Sequence, residues 1–204
     1  MMRAIPEEKG SLDAVQERTG GRSAKVREAV LQAARQILMQ EGANALTHRK
    51  VAHIAGVNAS TVYRRWPDRT RLIADVFRST AESMVSIPDS GSLHLDLYEF
   101  LKMITSMLSS SEGRKMIQGA IDATSSGDEL VGSAIRDVWE QRFQQAEMMF
   151  ERAIRRGEAG FEGQRRAILE TLIAPVWFRI LITQEPVDEE YLAANVTRIL
   201  KQMS

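Results

Sequence analysis

The side chains best suited to recognition chemistry lie between residues 47 and 70, in THRKVAHIAGVNASTVYRRWPDRT. Small polar residues are interspersed here with arginines. Both kinds hydrogen-bond to nucleic acid, because arginine pairs bidentately with guanine while hydroxyl and amide groups reach base edges and phosphates. Contacts to bases are predicted for Arg49, Asn58, Ala59, Ser60, Thr61 and Arg64. Contacts to phosphates are predicted for Thr47, His48, Tyr63, Arg65, Arg69 and Thr70.

Two short helices joined by a glycine turn would position these side chains. Thr47 is a good N-cap for the first helix, and Gly56 can end it because glycine adopts the left-handed conformation without strain. Asn58 can cap the second helix, which must end near Arg65, ahead of Pro67. This arrangement is a helix-turn-helix, whose second helix enters the major groove by its N-terminal turn. The apolar spacing alone fits equally an ordinary pair of helices with a solvated basic face.

Patterns typical of catalysis, metal binding or a cofactor are missing from the sequence. His48, His53 and His94 have no ligand spacing with one another, and the chain has no cysteine. Phosphate-binding glycine loops and the Gly-x-Ser-x-Gly elbow are also missing. We therefore expect no enzyme activity, no metal and no cofactor. The N-terminus lacks a signal-peptide pattern and the longest apolar run, 172–178, is too short for a bilayer, which predicts a cytoplasmic protein without membrane contact.

Charge is distributed unevenly along a chain whose net charge is zero. Residues 1–87 contain 14 Lys and Arg against 9 Asp and Glu, whereas residues 88–204 contain 13 against 18. A basic N-terminal part and an acidic C-terminal part favour a nucleic-acid-binding head followed by a body that is repelled by phosphate.

The fold class is predicted to be all-α, because proline is scarce and apolar residues recur at helical spacing nearly throughout. Ser23 is expected to cap a first helix over 24–41, and a later helix should run from about 70 to 87. Five further helices are expected at 92–110, 112–125, 128–157, 163–183 and 188–203. Three parts are predicted: a flexible arm (1–22), a helix-turn-helix DNA-binding domain (23–70) and a helical ligand-binding and dimerisation domain (71–204).

The helix-turn-helix residues resemble the DNA-binding signature of TetR/AcrR-type transcriptional regulators. The matching positions are Thr47, Arg49-Lys50, Val51-Ala52, Ala55-Gly56-Val57, Thr61-Val62-Tyr63, Arg65-Trp66 and Asp68-Arg69. Three positions depart from the commonest form, with Arg65 in place of His, Trp66 in place of Phe and Arg69 in place of Lys. The resemblance covers about residues 25–75. It implies a homodimer that binds an operator in double-stranded DNA, most often as a repressor, and that holds a small-molecule effector in its C-terminal domain.

The C-terminal interior is rich in methionine and aromatic residues, which suit either a plain core or an adaptable apolar pocket. An apolar effector pocket is predicted from Phe100, Met103, Met107, Ile121, Trp139 and Phe143. The segment 167–182 is apolar almost all round, so it must be buried on every side. Together with the last helix it is predicted to form a dimer interface, a four-helix bundle from two subunits. The interface residues would be Leu172, Val176, Trp177, Ile180, Leu192, Val196 and Ile199.

The function predicted from these observations is a ligand-responsive, dimeric DNA-binding regulator, a repressor that an effector releases from a near-palindromic operator. Two alternatives remain at this point. One is an all-α enzyme acting on an apolar small molecule, for which no catalytic constellation is found. The other is a helical dimer that sequesters ligands or binds proteins without reading DNA sequence.

Overall fold

The computed structural model describes residues 12–125, 129–158 and 164–203, and every regular element within these ranges is helical. The all-α prediction is confirmed. The chain forms two compact units that divide between Leu72 and Ile73. The helices are α1 (Leu12–Glu41), α2 (His48–Ile54), α3 (Ala59–Arg65), α4 (Arg69–Met84), α5 (Leu93–Ser109), α6 (Ser111–Ser125), α7 (Glu129–Arg156), α8 (Arg165–Trp177) and α9 (Glu189–Met203). A 3-10 turn at Ala43–Ala45 follows α1, and a π-helix at Phe178–Thr183 follows α8.

The first helix is longer than the sequence pattern indicates. We predicted a flexible arm to residue 22 and a cap at Ser23, but α1 begins at Leu12 and Ser23 lies inside it. The error came from treating Gly20 and Gly21 as a break. Each glycine costs a helix only about 1 kcal/mol relative to alanine, which a long helix can absorb. Residues 1–11 of the predicted arm lie outside the described residues.

The core of the first unit forms where α1 packs against the 3-10 turn and α2, while α2 packs against α3. Buried residues of α1 recur at helical spacing, including Val30, Ala34 and Ile37, each at most 1% exposed. Val51 of α2 and Val62 of α3 are completely buried. Ile54, which the pattern placed on the same apolar face, is 42% exposed, because α2 is too short to bury more than one stripe.

Helix α5 is central to the second unit and packs against α6, α7, α8 and α9. Leu97, Leu101 and Leu108 are fully buried along it, at the spacing of one helix face. Phe150 of α7 and Leu172 of α8 are fully buried as well. The helix boundaries predicted for this part agree with the structure to within a few residues. Pro175 lies inside α8, and the backbone changes to π geometry three residues later.

An ionic cluster fixes the loop between α4 and α5 onto the end of α7. Arg152 donates to the carbonyl of Pro88 at 2.9 Å. The fully buried Asp96 accepts from the amide and hydroxyl of Ser90 at 2.6 and 2.7 Å. Glu158 accepts from the first amide of α5, that of Leu93, at 2.7 Å. These bonds anchor the loop at residues 85–92, which the sequence marks as a break by its proline and glycine.

Candidate nucleic-acid interface and ligand pocket

Both predicted N-caps of the helix-turn-helix are confirmed. The Thr47 hydroxyl accepts from the amide of Lys50 at 3.2 Å, and the Asn58 side-chain oxygen accepts from the amide of Ser60 at 2.9 Å. Gly56 has a φ of +65°, the left-handed conformation that the turn requires. The amide of Val57 donates to the carbonyl of Ala52, which closes the end of α2.

The predicted base-reading residues lie on and around the N-terminal turn of α3. Arg49, Asn58, Ser60 and Arg64 are exposed, whereas Ala59 and Thr61 are half-buried. The cap occupies the side-chain oxygen of Asn58, which also accepts from the Ser60 hydroxyl at 2.9 Å. The amide NH₂ of Asn58 is therefore the group that this residue can offer to a base.

His48 has a different position from the one we predicted for a phosphate-binding residue. Its side chain is buried, at 7% exposed, and its Nε2 donates to the carbonyl of Trp66 at 2.7 Å. The ring stacks on Tyr63, with centroids 4.4 Å apart and an interplanar angle of 10°. The prediction was wrong because the helix start that suggests a phosphate contact also brings the ring under the end of α3. His48 instead joins α2 to the residue that follows α3.

Two predicted phosphate-binding arginines make contacts within the first unit. Arg65 donates to the hydroxyl of Ser23 at 3.2 Å, and Arg69 donates to the carbonyl of Ala43 at 3.5 Å. Thr47 uses its hydroxyl for the cap, and Thr70 is half-buried. A further cation, Lys50, whose side chain is 37% exposed, pairs with Glu41 at 2.5 Å. These interactions stabilise the unit in the absence of DNA. A side chain among them that bound a phosphate would have to divide its hydrogen bonds between the phosphate and its present partner.

The second unit contains a cavity of about 650 Å³ that is lined almost entirely by apolar side chains. Its volume falls in the range of pockets for drug-sized ligands. Aromatic residues from α5, α7, α8 and the π-helix line it, and Trp139 and Trp177 meet edge to face with centroids 5.9 Å apart. The lining residues are Ala81, Val85, Phe100, Ile104, Met107, Ile121, Trp139, Arg142, Phe143, Ala146, Glu170, Ile173, Ala174, Trp177, Phe178, Leu181 and Ile182.

Five of the six residues predicted for the pocket lie along this cavity: Phe100, Met107, Ile121, Trp139 and Phe143. Met103 does not line it. Its sulfur instead accepts from the hydroxyl of Ser86 at 3.4 Å, although position 103 shares a helix face with Phe100 and Met107.

The sequence reasoning missed the charged residues of the lining, Arg142 and Glu170. Arg142 could have been found, since it follows Trp139 by three residues and precedes Ala146 by four, the spacing of one helix face. Glu170 lies in the segment 167–182, whose apolar pattern predicts a dimer interface and gives no signal for a cavity. Burial lowers the pKa of Arg142.

No group of three or more potential metal ligands occurs within the described ranges. The same ranges contain no helix that is both long and apolar enough to cross a membrane.

Comparison with known proteins identifies the family. Residues 30–76 match the family described as bacterial regulatory proteins, tetR family, and residues 87–199 match the tetracyclin repressor-like, C-terminal domain. The chain belongs to the TetR family. AqdR, an HTH-type transcriptional regulator of Rhodococcus erythropolis, is 33% identical over 151 residues, which are 74% of this chain and 72% of AqdR.

Two further TetR-type proteins match over most of their length. YdeS of Bacillus subtilis (strain 168), an uncharacterized HTH-type transcriptional regulator, is 29% identical over 85% of this chain and 87% of its own. The crystal structure of the TetR family transcription regulator SCO0332 aligns with a TM-score of 0.69 at 29% identity, covering 88% of this chain and 99% of that one. This TetR-family protein is therefore a ligand-responsive, DNA-binding transcriptional regulator and not an enzyme.

Most residues that we predicted for the dimer interface belong to the core of the single TetR-family chain. Leu172, Val176 and Val196 are completely buried, and Leu192 and Ile199 are each 2% exposed. They cannot also form a surface between subunits. Trp177 lines the cavity, and Ile180 is half-buried in the π-helix. The error arose because the whole of a segment that is apolar all round was assigned to the subunit surface, although Leu169, Leu172 and Val176 on one face of it are buried within the single chain.

Proposed function

We propose that this regulator binds a near-palindromic operator as a homodimer and represses transcription until an apolar small molecule enters the cavity. The proposal assigns DNA reading to residues 23–70 and effector binding and dimerisation to residues 71–204. The observation that carries it is the pairing of an exposed polar α3, capped by Asn58, with an apolar cavity in the second unit. The first can read bases, and the second can hold a ligand.

Direct readout is proposed for Arg49, Asn58, Ala59, Ser60, Thr61 and Arg64. Arginine can pair with the O6 and N7 of guanine, which contributes about 1–3 kcal/mol of discrimination against other bases. Phosphate contacts are proposed for Thr47, Tyr63, Arg65, Arg69 and Thr70. These contacts set register and affinity but carry no direct sequence information.

The dimer interface is proposed on the side chains of α8 and the π-helix that the single chain leaves exposed. Thr171, Ala174, Phe178 and Ile182 follow one another at spacings of three or four residues and therefore share a face. Phe178 and Ile182 are 57% and 67% exposed, respectively. Since members of this family act as dimers, this exposed and mainly apolar stripe is the surface that a second copy would cover. Ala174, Phe178 and Ile182 of this stripe also line the cavity.

Selection of bound sequences from a random duplex pool tests the DNA part of the proposal. The expected result is enrichment of a near-palindrome with half-sites about 34–36 Å apart or a multiple of that distance. Affinity for the enriched site should fall steeply with salt, because phosphate contacts release counterions. Recovery of unenriched DNA, with weak salt-sensitive binding to every sequence, would instead support the sequestering protein that was the alternative.

Two arginines with exposed side chains provide a matched comparison. Arg64→Ala should lose about 1–3 kcal/mol on the enriched site and less on random DNA, which relaxes base preference at one position. Arg71, which pairs with Asp68 in the first turn of α4, is the control. Arg71→Ala should leave base preference unchanged. Equal losses on specific and random DNA for Arg64→Ala would contradict its role in base reading.

A further inference from the structure

One charged group on the cavity wall, Arg142, has only neutral hydrogen-bond partners. Its Nη2 donates to the carbonyl of Val85 at 2.5 Å, and its Nη1 donates to the side-chain oxygen of Gln145 at 2.7 Å. In the part of the chain that the structure describes, no carboxylate lies within 4.0 Å of this guanidinium. The cavity wall therefore holds a cation without a counter-ion in contact.

The surroundings of Arg142 make an unmatched charge unfavourable. The residue is half-buried among apolar side chains, and this burial lowers the pKa of Arg142, while Glu82 raises it through space. A guanidinium nevertheless stays protonated at neutral pH, because its positive charge is delocalised over three nitrogens. A charge held in an apolar environment is stabilised chiefly by pairing with an opposite charge.

The other charged lining residue, Glu170, already has a partner. Arg166 donates to it at 2.6 Å and also pairs with Glu140 at 2.8 Å. The Arg166 guanidinium lies over the ring of Phe143, with its Cζ 3.5 Å from the ring centroid. Glu170 shares this cation with Glu140 but has it in contact, whereas Arg142 has no carboxylate in contact, so the charged lining group that is left for a ligand to pair with is positive.

We propose that the effector is an amphipathic carboxylate, whose apolar body fills the cavity and whose carboxylate pairs with Arg142. The inference rests on the proposed function, in which the cavity is the effector site. The planar guanidinium presents two parallel N–H groups that match the two oxygens of a carboxylate. Either an alkyl or an aromatic group in the apolar part of the ligand can pack against a lining of methionine, isoleucine and aromatic side chains.

The same guanidinium connects the cavity to helix α4. Val85, whose carbonyl accepts from Arg142, directly follows Met84, the last residue of α4, and α4 begins at Arg69 in the DNA-reading unit. A bound carboxylate would compete with that carbonyl for the Arg142 donors and so weaken the bond that fixes the end of α4. By linkage, a ligand that favours the released state must weaken operator binding by the same factor that DNA weakens ligand binding.

Matched probes test the charge preference directly. Dodecanoate, dodecanol and dodecyltrimethylammonium share one alkyl chain, while naphthaleneacetate and naphthaleneethanol share one aromatic body. Binding is followed below micellar concentration by tryptophan fluorescence, since two of the three tryptophans line the cavity. We expect each carboxylate to bind at least about tenfold more tightly than its uncharged partner, a difference of about 1.4 kcal/mol, and the cation to bind most weakly.

Three variants locate the preference. Arg142→Met should bind dodecanoate and dodecanol equally, and Arg142→Lys should keep part of the preference because it keeps the charge. Arg152→Met is the matched control, since Arg152 also lies on α7 and donates to a loop carbonyl, that of Pro88, but does not line the cavity. It should retain the full preference. Thermal unfolding of all three checks that the second unit is folded.

The outcomes separate this proposal from the function on which it rests. Equal binding of carboxylate and alcohol, tighter binding of the cation, or an unchanged preference in Arg142→Met would each overturn the carboxylate assignment. Such results would leave the cavity as an effector site of another chemistry. If none of the probes changes the tryptophan fluorescence, both the carboxylate assignment and the apolar effector pocket are overturned. Operator selection tests the DNA-binding function independently. Release of the operator by dodecanoate in the wild type, and not in Arg142→Met, is the expected result for coupling through Val85.

Discussion

His48 joins the two helices of the DNA-reading motif through a single buried ring. One face stacks on Tyr63, and Nε2 donates to the carbonyl of Trp66, which closes α3. The Trp66 amide in turn donates to the carbonyl of Val62, so the end of α3 is fixed from both sides. An unpaired buried carbonyl costs about 1–3 kcal/mol, which makes this ring important for the stability of the motif rather than for charge.

Replacement of His48 by alanine tests that structural role. We expect His48→Ala to lower the free energy of unfolding by about 1–3 kcal/mol, because the Trp66 carbonyl loses its donor and Tyr63 loses its stacking partner. Chemical denaturation at neutral pH measures the change. A direct phosphate contact predicts instead unchanged stability and a salt slope of operator binding that is lower by about one.

At the scale of single residues, the sequence predicts caps well and contacts across helices poorly. Thr47 and Asn58 could be identified because a cap depends on a few neighbouring residues. His48 and Arg65 could not, because their partners, Trp66 and Ser23, lie 18 and 42 residues away along the chain. The same limit explains Arg142, whose position on a helix face was readable but whose carbonyl partner was not.

At the scale of elements, the junction of α5 and α6 depends on one glycine. A Cβ added to Gly113 would lie 2.0 Å from the carbonyl oxygen of Met107 and 2.7 Å from its carbonyl carbon, both backbone atoms. A Cβ on Gly119, in the same helix, would meet only the ring of Phe77 at 3.7 Å, an ordinary contact. Substitution by alanine is therefore expected to have opposite effects on stability at the two positions.

We expect Gly113→Ala to destabilise the protein by at least about 2 kcal/mol, because the α5–α6 turn must shift to relieve the clash. Gly119→Ala should stabilise it by about 0.4–1 kcal/mol, since alanine loses less conformational entropy than glycine in a helix. Urea unfolding midpoints of the two variants provide the test. A Gly113→Ala midpoint equal to the wild-type value would contradict the tight approach of the two helices.

The ionic cluster that anchors the α4–α5 loop should make stability depend on pH. Arg156 hydrogen-bonds to Glu158 and, with the amide of Leu93, holds the pKa of Glu158 below its ordinary value of 4.5. Because the folded state favours the charged carboxylate, this contribution is present above pH 4.5 and is lost as the pH falls through the lower folded-state pKa.

Substitution of Glu158 by glutamine isolates this term. We expect Glu158→Gln to unfold at lower urea concentration than the wild type at pH 7, and the two midpoints to converge as the pH falls below 4.5 and the wild-type carboxylate becomes protonated. Comparison of the two proteins removes the contribution of the other carboxylates. A midpoint difference that stays constant over this range would exclude a titrating role for Glu158.

The helical pattern predicts the number and order of elements because each amphipathic face is a local property of the sequence. The pattern fails where tertiary packing decides whether an apolar segment is buried within one chain or between two subunits. The segment 167–182 had to be buried on all sides, yet periodicity cannot distinguish burial in the chain's own core from burial between subunits. Val176 and Val196 are completely buried in a single chain, which settles the question for them.

At the scale of the whole molecule, the two halves of the sequence carry opposite charge, and this division matches their chemistry. The DNA-reading unit needs positive charge because each phosphate contact releases a counterion. The second unit contains an apolar cavity, and residues 88–204 carry 18 Asp and Glu against 13 Lys and Arg, which disfavours adhesion to DNA. A dimer would double the number of DNA contacts.

The exposed stripe on α8 and the π-helix gives the proposed dimer its test. Phe178→Asp should convert the dimer to a monomer, because it places a charge in the middle of an apolar interface at a side chain that is 57% exposed in the single chain and also lines the cavity. Leu130→Asp is the control, since Leu130 is 73% exposed at the start of α7, outside the stripe. Sedimentation equilibrium reports the mass of each variant, and circular dichroism reports the fold.

The monomer should also lose preference for a two-half-site operator over a single half-site, because the linkage between the two reading helices is gone. A folded Phe178→Asp protein that remains dimeric would exclude this face, and the interface would then have to be sought on α9.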